Sequence, residues 1–199
     1  MKPSLVMLGI LASAFSLSQT AALAQPTALV IKPLAEKKVT QLPGGPLFWR
    51  LENFPTLAQA RAAEGPTSLV AESGGRVWLF TLGPRGGATA GGTAIAEVGP
   101  LAPIAATQYL LRINEASGSP GSITPVHTHP GSESFYVLNG ETSSRSPHGV
   151  MRIAAGETGT GHGADLPMQV SSSGATDLRS LVMFVVDATK PFSSPAQFP

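Results

Sequence analysis

At 199 residues the chain is long enough for one domain with a sizeable core, and 42% hydrophobic against 13% charged residues, with 22 glycines and 18 prolines, suits short strands joined by turns better than a helical bundle. A net charge of +1 with no basic patch or aromatic-basic interleaving excludes nucleic acid as a partner. The absence of cysteine excludes disulfides, thiolate metal ligands and cysteine nucleophiles, so any transition-metal site must be built from His, carboxylate, Met or amide groups.

In chain order, Lys2, the 13-residue apolar run from Leu5 to Leu17 and the Ala22-Leu23-Ala24 cleavage signal read as a signal peptide over residues 1–24. The run falls short of the ~20 apolar residues a membrane-spanning helix needs. A periplasmic or secreted protein without a membrane anchor after cleavage is therefore expected, and loss of Lys2 leaves 12 basic against 12 acidic residues.

Residues 25–45 are proline-containing and weakly patterned, and read as an extended N-terminal arm. From 46 to 190 the spacing predicts one domain. Leu47–Asn53 reads as a strand, and Thr56–Glu64 as a helix of about two turns, capped by Thr56 and stopped by Gly65. Ser68–Ala71 and Arg76–Leu82 read as a hairpin around Glu72-Ser-Gly-Gly75. The glycine-rich tract 83–92 lacks the G-K-[ST] of a phosphate loop and reads as a mobile surface loop. Thr93–Val98 and Gln108–Asn114 are further strands, the second feeding a long turn over 115–121. After Gly140, Glu141–Ser144 and Gly149–Ile153 bracket a tight turn holding His148, which reads as a solvated residue. Ser180–Asp187 is apolar on both faces and is expected to be covered on both, by the N-terminal strands or by a second subunit. Residues 191–199 read as an irregular tail. Strands at roughly 8–12-residue spacing with turn signals between them are the sandwich or barrel pattern.

The chemistry gathers between Gly121 and Gly140, where the spacing is G-x5-HxH-x3-E-x6-G. On an extended segment His127 and His129 point the same way, since side chains on a strand repeat every second residue. Pro130, Gly131 and Ser132 predict a reversal, after which Glu133 opens a return strand beside the histidines. Two neutral imidazoles and a carboxylate from adjacent strands suit a divalent first-row metal with open positions left for water or substrate.

Over these 20 residues the sequence resembles the first motif of the cupin superfamily at every position. The resemblance implies an all-β fold: a small antiparallel β-barrel or jelly roll, here with extra N-terminal strands and one short helix, holding a metal (Fe, Mn, Ni, Cu or Zn) through His127, His129 and Glu133. The second cupin motif, G-x5-P-x-G-x2-H-x3-N, is degenerate. From Gly156 its histidine position falls on Pro167, or on Met168 if the turn is one residue longer. Three arrangements stay open: three protein ligands alone, His162 reaching the metal from a shifted position as a fourth, or loss of useful metal affinity. Asp165, near the same turn, reads as an exposed aspartate within reach of the site.

Strand parity places Phe135 and Val137 on the same face as Glu133, pointing into the barrel, with Tyr136 on the other face. With Met168 they make the expected pocket wall, apolar enough to favour a small organic ligand. Arg112 alternates with Tyr109, Leu111 and Ile113, and reads as a salt-bridged arginine facing away from the more apolar side. No Ser-His-Asp order or carboxylate pair suggests a hydrolase. The expected function is an exported metal-dependent enzyme of dioxygenase, isomerase or decarboxylase type acting on a small molecule; the alternative is a periplasmic ligand-binding or sensing protein without a catalytic metal. The resemblance and the doubly apolar last strand predict a homodimer.

Overall fold

The computed structural model describes residues 27–199, so the expected signal peptide lies outside the described residues. In chain order these form β1 (Val30–Val39), β2 (Phe48–Phe54), helix α1 (Leu57–Ala62), β3 (Ser68–Ser73), β4 (Arg76–Gly83), β5 (Thr93–Val98) and β6 (Tyr109–Gly118). There follow β7 (His127–Thr128), β8 (Gly131–Asn139), β9 (Glu141–Ser146), β10 (Gly149–Ala154), β11 (Thr158–Thr160), β12 (Gln169–Ser172), β13 (Leu178–Asp187) and β14 (Ser194–Pro195). Among the described residues no helix is long and apolar enough to cross a membrane.

A five-stranded antiparallel sheet, β1-β6-β13-β8-β11, is the middle layer. Strand β13 alternates large apolar side chains on both faces and so fixes what each face meets. Leu181, Met183 and Val185 pack with Trp49, Leu51, Trp78 and Phe80 of the N-terminal sheet β3-β4-β2-β5. Leu178, Val182, Phe184 and Val186 pack with Phe135, Val137, Ile153 and Val170, which brings in the three-stranded sheet β10-β9-β12. The middle and three-stranded sheets make an all-β jelly roll, and the N-terminal sheet covers its back. Since this chain covers the outer face of β13 itself, that face no longer argues for a homodimer.

The sequence expectations hold for the hairpin β3–β4, for β5 and for the helix, whose cap Thr56 accepts a hydrogen bond from the Gln59 N–H. Three expectations are corrected. The N-terminal arm contains β1, an edge strand paired along β6, with a register shift after Pro33 where the missing N–H is tolerated. Strand β6 runs through Gly118 into the expected turn. The glycine-rich tract is tethered, not free: the Thr89 N–H and hydroxyl donate to the fully buried Glu52 carboxylate at 2.7 and 2.6 Å, and Arg50 donates to the Gly86 carbonyl.

Candidate metal and ligand site

The histidine-bearing segment is not a hairpin arm beside β8. Strand β7 belongs to another layer: the His127 N–H donates to the Met168 carbonyl at 2.9 Å, and the Met168 N–H donates to the His127 carbonyl at 2.8 Å. Its other edge pairs with β14 of the C-terminal tail. Gly131 and Ser132 do not make the expected turn; they start β8. A Cβ at Gly131 would lie 2.2 Å from the Val185 carbonyl oxygen, so the glycine is there for close backbone approach to β13. Gly140, at the other end of the motif, adopts φ 75° with its Cβ position 2.7 Å from the Asp177 carbonyl oxygen.

The two imidazoles lie edge to face, with centroids 4.9 Å apart and planes at 86°. Each ring uses Nδ1 on a backbone carbonyl, His127 on Pro125 at 2.8 Å and His129 on Phe192 at 2.7 Å. A carbonyl only accepts, so Nδ1 is the protonated nitrogen of each neutral ring and the lone pair is left on Nε2. Metal-binding histidines are held in this way, with the second nitrogen fixed by a carbonyl or carboxylate. Burial pushes the His129 imidazole down to about 4; the Phe192 carbonyl works against this, and the positive charge available on His127 and Arg112 adds to it.

Glu133 stands opposite Phe184 in the β8–β13 pairing and is 3% exposed. Its Oε2 has no hydrogen-bond partner, and burial alone raises the carboxyl to about 8. Native interiors rarely leave such a group unpaired without a functional reason. With His127 and His129 it lines a cavity of about 350 Å³, whose other walls include Phe135, Val182, Phe184, Phe192 and Asn114. Two imidazoles with free Nε2 lone pairs and one orphaned carboxylate oxygen are a donor set that fits a divalent first-row cation. Among the described residues no three His, Asp or Glu side chains are gathered closely enough to hold a metal ion as they stand, so the fit is one of donor type: the carboxylate shares the cavity with the rings without converging on them.

Of the other expected pocket residues, Phe135 lines this cavity. Val137 packs with Phe135 in the same core but is not on the cavity wall, and Met168 meets the site through its backbone, its side chain 1% exposed and off the wall. Tyr136 faces the back, edge-on to Trp78 at 5.8 Å. His162 is not brought to the cavity. Its loop crosses the start of β8, where the Gly161 N–H donates to the Glu133 carbonyl, and its imidazole is held below the ordinary value by burial first and by the nearby, exposed His148 second. Asp165, exposed at φ 63°, supports the site through its backbone: its N–H donates to the His129 carbonyl at 2.8 Å.

Sequence reasoning missed two contributors. Arg112 does turn away from Leu111 and Ile113, and that direction is the cavity side of β6, shared with Asn114 and Ala116, which line the cavity. Its Nε donates to Asn114 Oδ1 at 2.9 Å, and its guanidinium lies 4.4 Å over the ring of Phe192. Phe192, in the tail whose sequence reads as irregular, packs on His129 and Phe184 with centroids 4.8 and 4.9 Å away. The alternation along β6 contained the signal for Arg112; nothing in the tail's composition pointed to Phe192.

No family model and no curated protein matches this sequence. Among solved structures the chain is similar to a DMSP lyase chain at 20% identity and TM-score 0.37, with 44% of this chain and 44% of that one covered. It is similar to a cupin-like protein from Thermotoga maritima at 12% identity and TM-score 0.39, covering 44% of this chain and 65% of that one. A third, a conserved protein with a double-stranded β-helix domain from Klebsiella pneumoniae, is 19% identical with TM-score 0.38, over 44% of this chain and 75% of that one. The match thus spans less than half the length of the DMSP lyase chain.

Proposed function

We propose that this chain is an exported cupin-type protein that holds a divalent first-row metal through His127, His129 and Glu133 and acts on a small organic molecule in the adjoining cavity. The observation that carries the reading is the combination of two imidazoles whose Nδ1 atoms each sit on a backbone carbonyl, which leaves Nε2 for another partner, and a buried carboxylate oxygen with no other partner, all on one cavity. A bound ion there would supply a Lewis-acidic or oxygen-binding centre. The chain's own part is to exclude bulk water with Phe135, Phe184 and Phe192, to fix the ring tautomers through the Pro125 and Phe192 carbonyls, and to present the Glu133 carboxyl, which releases its proton when it takes a cation. A dioxygenase, isomerase or decarboxylase type of reaction is compatible with these parts.

The largely apolar wall favours one second reading, a periplasmic binding or sensing protein whose ligand is held by shape. Metal analysis of protein purified without a His-tag separates the two. About one equivalent of metal, lost in His127→Ala and in Glu133→Ala, is the expected result. A stoichiometric organic ligand with no metal would favour the binding protein.

A further inference from the structure

We propose that the C-terminal strap, residues 191–199, is a positioning element for His129, with Phe192 as the residue that sets the ring's tautomer and closes the cavity. The inference deepens the metal-site reading and rests on it for its consequence, though not for its geometry.

Three separate contacts tie the strap to the site. The Phe192 carbonyl accepts the His129 Nδ1–H at 2.7 Å, a bond spanning 63 positions of sequence. The Phe192 ring packs on the same imidazole, tilted at 55° with centroids 4.8 Å apart, and the Arg112 guanidinium lies 4.4 Å over it. Beyond it, β14 pairs with β7, and the Ala196 N–H donates to the Val126 carbonyl at 3.1 Å. A second arginine, Arg145, lies 4.6 Å over Phe198 and clasps the far end. The strap has no apolar periodicity to pin it, so two cation–π clasps, each worth about 0.5–1 kcal/mol when exposed, and a short backbone ladder hold it in place.

Without the strap His129 loses the one acceptor on its Nδ1, and nothing then favours the tautomer that leaves Nε2 free. Partners that orient a metal-binding histidine typically contribute about 10–100-fold in metal affinity. Phe192 acts through His129, so it is a positioning residue.

The test compares the full chain with a chain ending at Lys190, both metal-free, by long-range ¹H–¹⁵N NMR of the histidine rings, followed by Zn²⁺ titration. The full chain is expected to show His129 in the Nδ1–H tautomer. The shortened chain should show a mixture and bind Zn²⁺ about 10–100-fold more weakly. Phe192→Ala in the full chain keeps the carbonyl but removes the ring that pins it against His129 and Arg112, so it should move both readouts the same way by a smaller amount, and Phe192→Tyr, which keeps the ring, should move neither. A folded shortened chain with the tautomer and Zn²⁺ affinity of the full chain overturns the proposal. If the shortened chain does not fold, unchanged readouts in Phe192→Ala overturn it. Should the full chain take up no Zn²⁺ while the tautomer still shifts on shortening, the strap's role stands and the metal reading fails.

Discussion

Replacing Glu133 with methionine is expected to stabilise the metal-free protein by about 3 kcal/mol at pH 7 while abolishing metal binding. Burial raises this carboxyl from its ordinary 4.5 to about 8, so between those values the folded chain keeps a proton that the unfolded chain has released. Where the folded state binds more protons, stability falls as pH rises, here by about 1.4 kcal/mol per pH unit. At pH 7 the accumulated penalty is about 3 kcal/mol, and an apolar side chain of similar volume removes it. The gain disappears as pH is lowered to 4.5. His129 works in the opposite direction. Its imidazole, pushed down from 6.5 to about 4, stays neutral where the unfolded chain takes up a proton, so stability is lost as pH falls from 6.5 toward 4. The two slopes cancel between about pH 4.5 and 6.5. For these two groups metal-free stability is flat there and falls on either side. Denaturant unfolding of the metal-free protein and of Glu133→Met from pH 4 to 9 checks this. Saturating Zn²⁺ should then stabilise the wild type by about 2.7 kcal/mol at a hundred times its Kd and leave the variant unchanged. Equal stability of the two proteins at pH 7 without metal would mean that the Glu133 carboxyl is not desolvated as described.

Trp78→Ala is expected to cost about 3–5 kcal/mol, the range for removing a fully buried large aromatic side chain. Trp78 has no exposed surface, stacks on Phe80 with centroids 6.1 Å apart, meets Tyr136 at 5.8 Å and donates its indole N–H to the Ser73 carbonyl at 3.0 Å. Truncation leaves a cavity between the N-terminal sheet and the back of β13 and β8, and an acceptor without its donor. This core lies on the opposite side of the middle sheet from His127, His129 and Glu133. The denaturation midpoint should therefore drop while Zn²⁺ affinity in the folded protein stays within about twofold. A loss of affinity equal to that of Glu133→Ala would show the two faces to be coupled.

The alternation of β8 and β13 was legible in the sequence because large apolar side chains fill both faces of central strands, and the parity of Phe135, Tyr136 and Val137 follows from it. What escaped is held by backbone and single contacts. Strand β1 is an edge strand with three lysines and Pro33, polar enough to read as a linker. Strand β14 is two residues long and has no period to detect. Gly131 carries the signature of a turn, but glycine serves close approach as readily as reversal, and only the position of Val185 decides between them. The first motif named the three residues that share the cavity. The second motif's loss of its histidine was also legible, and the neighbourhood of His162 and His148 shows where the remaining ring goes. Arg112 has the expected direction and the expected ion pair, with Glu36 at 3.6 Å; what the sequence could not show is that the less apolar face of β6 looks onto the cavity.

Zinc titration of the untagged full chain, followed through the ring nitrogens of its histidines, puts the central claim to the most direct test. Saturation at one equivalent, with the Nε2 resonances of both His127 and His129 shifting together and Nδ1 remaining protonated, is the predicted result. Binding that does not saturate at one equivalent, or that leaves either Nε2 unmoved, would contradict the assignment of this cavity as a metal centre.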